Sequence, residues 1–349
     1  MVNDFEVPTV DISAYAAGGS ADARRRVAEQ IDRACRAVGF IQIVGHGVPP
    51  EITAGIAGAI DGFFAQSLQA KKAYVRPKRE NRGYTPPKTE SLSYTIGIDP
   101  VTRMNDFFEA FNVGMTRADF PDAELPVEDY PDNTWPEEPS DFRPRVEAYF
   151  AEARRVARTL TDIFADALDV DRDFFEPLTR HSLDVLRMNN YALPPGTVEL
   201  GADMTGMGEH TDFGVVTVLW ADQVAGLQVL GRDGEWHDVQ PADGAFLVNL
   251  GDVMARITND QWMSTLHRVK PPIVDGTIMR RRSAAYFEDG DPAAVVAPIA
   301  SFVTEGEAPL YAPVTLKEHV AAKLDGLKSL KKNTNAEREA ARIGSSAGA

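Results

Sequence analysis

His210 and Asp212, two positions apart, are the residues of this chain best suited to metal chemistry. On an extended segment alternate side chains share a face, so an imidazole and a carboxylate would project together. Two ligands hold a divalent metal poorly, and a third is needed. His267, in the run Ser264-Thr265-Leu266-His267-Arg268-Val269, is of the right type. Two imidazoles and one carboxylate suit Fe(II) and leave coordination positions open for reactants. Each residue alone has an ordinary reading: a His-x-Asp triplet occurs often by chance, and a strand histidine is commonly a hydrogen-bonded core residue. The joint pattern carries the expectation.

A second group would hold an anion. In Arg280-Arg281-Arg282-Ser283-Ala284-Ala285-Tyr286-Phe287, strand alternation puts Arg281, Ser283 and Ala285 on one face. Arg280 and Arg282 fall on the other, where a solvated charge run is the plain reading. A hairpin turn at Asp275-Gly276 is expected to fold this strand back beside the His267 strand, so that Arg281 and Ser283 reach the same cavity. A guanidinium fork with a hydroxyl matches a carboxylate. Asn189 and Tyr191 share a face of the run 186–191. They are either a structural hydrogen-bonded pair or partners of the same bound acid.

These residues need elements to position them. Residues 7–12 read as an edge strand. Residues 21–38 read as a helix, with Val27, Ile31, Ala34, Cys35 and Val38 on one stripe and Gly39 as its stop. Residues 40–44 form a strand. A second helix follows the Gly45–Pro50 turn, with Ile52, Ile56, Ile60 and Phe63 inward. Residues 75–105 read as long loops, and 106–113 as a strand. Ser140 is placed to cap a long helix carrying Val146, Phe150, Ala153, Ala157, Leu160 and Phe164. Beyond residue 182 short β-rich runs recur at 183–191, 213–220, 226–230, 236–239, 245–250, 263–269 and 278–287, the pattern of a sandwich or jelly roll. The fold expected is α+β: an N-terminal helical and strand subregion (1–180) packed on a jelly-roll core (181–325), with a tail (326–349), all one integrated domain.

Composition narrows the function. The chain has 349 residues, 44% of them hydrophobic and 25% charged, and a net charge of −16. That acidity speaks against nucleic acid and anionic membranes as partners. Cys35 is the one cysteine, so there is no disulfide framework. No signal peptide and no membrane span are read, and a cytoplasmic protein is expected. Oligomeric state is not legible.

The motifs together resemble the iron- and 2-oxoglutarate-dependent dioxygenases of the isopenicillin N synthase-like family. The likeness runs from about residue 5 to 325. It includes Val7-Pro8-Thr9-Val10-Asp11-Ile12, the segment Ala37 to Val48, Arg82-Gly83-Tyr84, His210-x-Asp212, His267-Arg268-Val269, Arg281-x-Ser283 and Tyr311-Ala312-Pro313-Val314-Thr315. The resemblance implies a double-stranded β-helix with a metal at one mouth. It makes His210, Asp212 and His267 the iron ligands, and Arg281 and Ser283 the pair for the far carboxylate of 2-oxoglutarate. Asn189 and Tyr191 match the family's Asn-Tyr-Tyr strand, with Asn190 departing from the usual aromatic. His46 matches a structural His-Gly turn, and His181, His237 and His319 are bystanders. Fe(II), 2-oxoglutarate and O2 are the implied cofactors, and oxidation of a small-molecule substrate with release of succinate and CO2 the implied reaction. Arg103, Tyr84, Asn105, Phe107, Trp220 and Phe287 are the candidate substrate contacts, with Tyr94 also considered and Arg103 suited to an acidic group. An iron oxidase working without 2-oxoglutarate and a non-catalytic jelly-roll binding module are the competing readings.

Overall fold

The computed structural model describes residues 5–87, 89, 108–192, 206–270, 273–274 and 277–329. Arg103, Asn105, Phe107 and Tyr94 lie outside the described residues, as do the Asp275-Gly276 turn and the tail from residue 330.

The N-terminal strand β1 (Thr9–Asp11) forms a sheet edge and pairs in parallel with β2 (Phe40–Val44). Between them lie a one-turn helix α1 (Ser13–Ala16) and α2 (Ala21–Ala37), which Ser20 caps by accepting from the Ala23 amide. Val27, Ile31, Ala34 and Cys35 are its buried stripe. Gly39 ends it at φ +70°, where an added Cβ would stand 2.1 Å from the Met263 carbonyl oxygen. That position requires glycine twice over, for its backbone conformation and for space. Helix α3 (Pro50–Phe64) buries Ile56, Ile60 and Phe63, and the short α4 (Leu68–Lys72) leads to β3 (Gly83–Thr85). Strand β4 (Glu109–Gly114) and the long α5 (Phe142–Leu168) follow. The expected cap Ser140 stands one residue short: Asp141 flanks the first turn and makes no capping bond.

After α6 (Glu176–Thr179) the chain becomes mostly β. It runs through β5 (Val185–Tyr191), β6 (Met207–His210), β7 (Val216–Ala221), β8 (Leu227–Leu230), β9 (Trp236–Asp238) and β10 (Phe246–Leu250). A short helix α7 (Asp252–Ile257) precedes β11 (His267–Val269), the hairpin of β12 (Ile273–Val274) and β13 (Thr277–Ile278), and the long β14 (Arg281–Glu288). A small pair, β15 (Val295–Val296) and β16 (Val314–Thr315), leads to α8 (Leu316–Ser329).

Two sheets face each other. The larger has the order β1-β2-β10-β7-β14-β5-β4-β3, and the smaller β6-β11-β8-β9. Alternation along the larger sheet makes two cores. Met188, Val218, Val248, Ala284 and Tyr286 point to the helices, where they meet Ile31, Ile60, Phe63, Leu160 and Phe164. Tyr191, Leu247 and Phe40 point to the smaller sheet, where they meet Met207, Leu227, Val229 and Val269. Each large apolar side chain fully buried in this way contributes about 1.5–3 kcal/mol. No helix among the described residues is long and apolar enough to cross a membrane.

Three expectations are corrected. Strand β14 does not lie beside the His267 strand: it lies between β5 and β7, while β11 lies between β6 and β8 in the opposite sheet. The chain changes sheets between β11 and β14, so Arg281 and His267 meet across the gap rather than along a ladder. Nor do His210 and Asp212 share one extended strand from which both side chains project. His210 closes β6 in the small sheet, and Asp212 sits on the connection to β7 in the large one. Finally, the run expected as a strand over 263–269 shortens to β11, and α7 was not foreseen. Six residues are too few for helical periodicity to register.

Candidate active site

His210 and His267 are paired residues on adjacent antiparallel strands. Both side chains are buried, as is Asp212. Asp212 Oδ1 lies 3.8 Å from His210 Nε2 and 3.7 Å from His267 Nε2. These separations exceed a hydrogen bond, and the potential ligand atoms all lie within 4.8 Å of one another. Every other polar atom of the trio is occupied. His210 Nδ1 is 2.8 Å from the Gly208 carbonyl and His267 Nδ1 is 3.1 Å from the Thr265 carbonyl. A carbonyl only accepts, so each Nδ1 carries the proton and each Nε2 keeps a free lone pair. Asp212 Oδ2 accepts from Thr217 Oγ1 and from Asn249 Nδ2 at 2.7 Å, which leaves Oδ1 facing the rings. Burial, and then the neighbouring His267, push the His210 pKa down to about 3, so its ring is neutral. Two imidazoles and one carboxyl group, each with one atom fixed by protein and one turned to the others, fit a divalent metal such as Fe(II).

Deeper in the gap lies the anion group. Arg281 stands opposite Tyr191, and Ser283 opposite Asn189, across the β14–β5 pair. The Arg281 guanidinium carbon lies 5.4 Å from the Tyr191 ring centre, and its Nε has no hydrogen-bond partner. It is 2% exposed and makes no ion pair with a carboxylate among the described residues. A buried cation without an anion is costly, and a bound carboxylate fits it. Asn189 Nδ2 donates to Ser283 Oγ at 3.4 Å, and Asn189 Oδ1 accepts from Arg187 Nε at 3.2 Å. Tyr191 directs its hydroxyl at Met207 Sδ. The outer arginines behave as expected. Arg282 pairs with Asp222 and Asp61, and Arg280 with Asp61 and Asn190.

One cavity between the sheets contains all seven of these residues. Of the substrate candidates, Phe287 lines it. Tyr84 and Trp220 do not: both lie on the helix-facing side of the large sheet. The Tyr84 hydroxyl donates to Glu109 Oε2 at 2.6 Å, beside a buried ion pair of Glu109 with Lys71. The remaining histidines have structural partners. His46 contacts the Gly244 carbonyl, His181 pairs with Asp291, His237 with Asp233, and His319 contacts the Phe213 carbonyl.

The structure adds residues that pattern reading did not find. Thr217 and Asn249 orient Asp212. Asp252 ties three segments together: Oδ1 accepts from Ser264 Oγ at 2.7 Å, while Oδ2 accepts from Thr211 Oγ1 and pairs with Lys323 at 2.8 Å. Its amide also donates to the Asp212 carbonyl at 2.9 Å. Arg187 and Asp289 line the cavity as well. Alternation along β5 and β14 could have found both, since they continue the inward faces of Asn189 and Arg281.

A two-sheet jelly roll with a His/Asp/His cluster at its mouth and a buried arginine behind it defines a mononuclear metal oxygenase. The comparisons give the same class. Residues 183–289 match the 2OG-Fe(II) oxygenase superfamily, and residues 7–138 match the family of the non-haem dioxygenase in morphine synthesis N-terminal region. A 2-oxoglutarate-Fe(II) type oxidoreductase of Emericella nidulans, hxnY, is 32% identical over 90% of this chain and 88% of its own. The validamycin A dioxygenase of Streptomyces hygroscopicus subsp. limoneus is 33% identical over 86% of this chain and 81% of its own. Among solved structures, a Neurospora crassa protein in complex with alpha-KG and thymine superposes with a TM-score of 0.79 at 23% identity, covering 93% of this chain and 98% of that one. JOX2 in complex with 2OG, Fe and JA gives 0.70 at 26% identity, covering 89% and 83%. The chain belongs to the 2OG-Fe(II) oxygenase superfamily. It is an oxidoreductase that uses Fe(II), 2-oxoglutarate and O2, and both competing readings, the oxidase without 2-oxoglutarate and the binding module, fall away.

Proposed function

We propose that His210, Asp212 and His267 hold the Fe(II), that Arg281 and Ser283 hold the far carboxylate of 2-oxoglutarate, and that the enzyme hydroxylates a small organic molecule in the remaining cavity. One observation carries this reading: three free donor atoms face one another, while every other polar atom of the same side chains is fixed by protein. When bound, the metal and 2-oxoglutarate together turn O2 into an oxidant, with release of succinate and CO2. The protein's part is to hold and to exclude. Thr217 and Asn249 keep Asp212 Oδ1 turned to the rings. Phe40 lies edge-on to His267, 5.2 Å between ring centres, and closes that side to water. Arg281 neutralises the co-substrate's charge, and Tyr191 covers the guanidinium. Asn189 orients the Ser283 hydroxyl.

Among the proteins named above, one is a validamycin A dioxygenase and two were solved in complex with thymine or JA, which supports a small-molecule substrate. Net charge −16 supports the absence of a nucleic-acid partner. A single free thiol, buried at Cys35, is compatible with the reducing cytoplasm. The helix-side core draws on both halves of the chain, which supports one integrated domain. The test is succinate release. Wild-type protein should form succinate from 2-oxoglutarate only with Fe(II) and O2. His267→Ala should lose this activity by about 100-fold or more while keeping its far-UV spectrum. Unchanged turnover in that variant would refute the ligand assignment.

A further inference from the structure

The cavity has a charged end that the co-substrate does not use. Successive inward residues of β14 are Arg281, Ser283, Ala285 and Phe287, and Asp289 continues the row just past the strand. On β5 their partners are Tyr191, Asn189, Arg187 and Val185. With 2-oxoglutarate at the Arg281 end, the Asp289 end is left to the substrate. Asp289 makes no hydrogen bond and no ion pair among the described residues. The guanidinium whose charge it feels, Arg82, donates instead to the Asn81 and Met115 carbonyls. Gly214, two residues beyond Asp212, packs so closely that an added Cβ would stand 2.8 Å from Asp289 Oδ1. The carboxyl therefore lies beside the loop that carries Asp212.

Asp289 also borders a second cavity, together with Asn81, Val185 and Val320, and these four residues line the first cavity too. The second cavity continues past Glu80, Glu128, Asp129 and Lys317. A solute passing from one cavity to the other therefore meets Asp289. Asp289 is partly exposed to these cavities, yet desolvation still pushes its carboxyl up to about pKa 8, so the ionised form is favoured when an incoming group brings positive charge.

We propose that Asp289 is a substrate-recognition residue, and that the substrate presents a protonated amine to it on the way to the metal. An ammonium supplies both the donors and the compensating charge, and the net charge of −16 attracts cations to the molecule from a distance. The inference rests on the placement of 2-oxoglutarate at Arg281 proposed above.

The test uses full-length protein loaded with Fe(II) and 2-oxoglutarate under anaerobic conditions. Matched alkyl and aryl primary amines, and carboxylic acids of the same skeletons, are titrated by calorimetry. Amines should bind at least about tenfold tighter than their acids. Asp289→Asn keeps the shape and removes the ability to ionise, and it should abolish that preference. Asp289→Lys should reverse it, an outcome that a merely structural role would not produce. Acids binding as tightly as amines in the wild type, or an amine preference that survives Asp289→Asn, overturns the proposal. Failure of the wild type to bind 2-oxoglutarate is read separately in the same titration and would overturn the placement on which it rests.

Discussion

His267 stands directly opposite His210 across the β6–β11 pair, with ring centres 4.2 Å apart. The pairing irregularity that follows, between His267 and Val269, lies on the strand just past the site. Side-chain direction in a strand has a period of two, so a slip of one residue would turn one imidazole out of the cavity. The two rings converge because of strand register, and Asp212 completes the cluster because the chain changes sheets immediately after His210.

Asn249 is the residue that decides which oxygen of Asp212 faces the rings, jointly with Thr217. Asn249→Ala should weaken iron binding by about 10–100-fold while the three ligands stay in place. Iron titration under anaerobic conditions checks this. Full-strength binding would show that the carboxylate orients itself.

Arg281→Met removes a buried cation that has no carboxylate partner among the described residues. Without 2-oxoglutarate, the variant should melt at the same temperature as the wild type or higher, because replacing an uncompensated buried charge with an apolar chain is neutral or stabilising. Wild-type protein should gain about 2.7 kcal/mol at a ligand concentration 100 times the dissociation constant, and the variant almost none. A melting-temperature shift that persists in Arg281→Met would place the co-substrate elsewhere.

Asp252 fastens the Thr211 loop, the Ser264 segment and α8 through Lys323. Asp252→Ala removes the carboxylate that pairs with the buried Lys323 ammonium and accepts from Thr211 and Ser264, and should cost about 3–5 kcal/mol. Chemical denaturation should show this loss. A double variant with Lys323→Met should recover much of it, since the buried ammonium is then gone too.

Glu288 lies under α5 with Arg158 Nε 3.2 Å away, yet its burial outweighs that charge and pushes its pKa up to about 8. The folded protein therefore holds a proton on Glu288 between about pH 4.5 and 8, while the unfolded chain does not. The folded state binds more protons in that window, so this group's contribution to stability falls as pH rises through it. Glu288→Gln should flatten that part of the profile and raise the melting temperature at about pH 8 relative to wild type. A parallel fall in both proteins would show that Glu288 is already ionised in the folded state.

Local pattern in the chain was enough for most of the elements and for choosing the candidate site residues, while their proposed roles came from the family resemblance. The stripe of α2, the glycine stop at Gly39 and the alternation of β14 and β5 depend only on residue type and spacing. His210 with Asp212 and Arg281 with Ser283 were legible from residue type and a spacing of two, Asn189 and Tyr191 as polar residues two apart in a strand, and His267 as a third side chain of the right type. What tertiary structure alone decided was which sheet each strand joins. It set Arg281 across the gap from His267 rather than beside it, and moved Tyr84 and Trp220 to the helix side, because facing direction depends on pairing partners far along the chain. Thr217, Asn249 and Asp252 stayed hidden for the same reason. Each is an ordinary polar residue until sheet packing brings it within a few ångströms of a group distant in sequence.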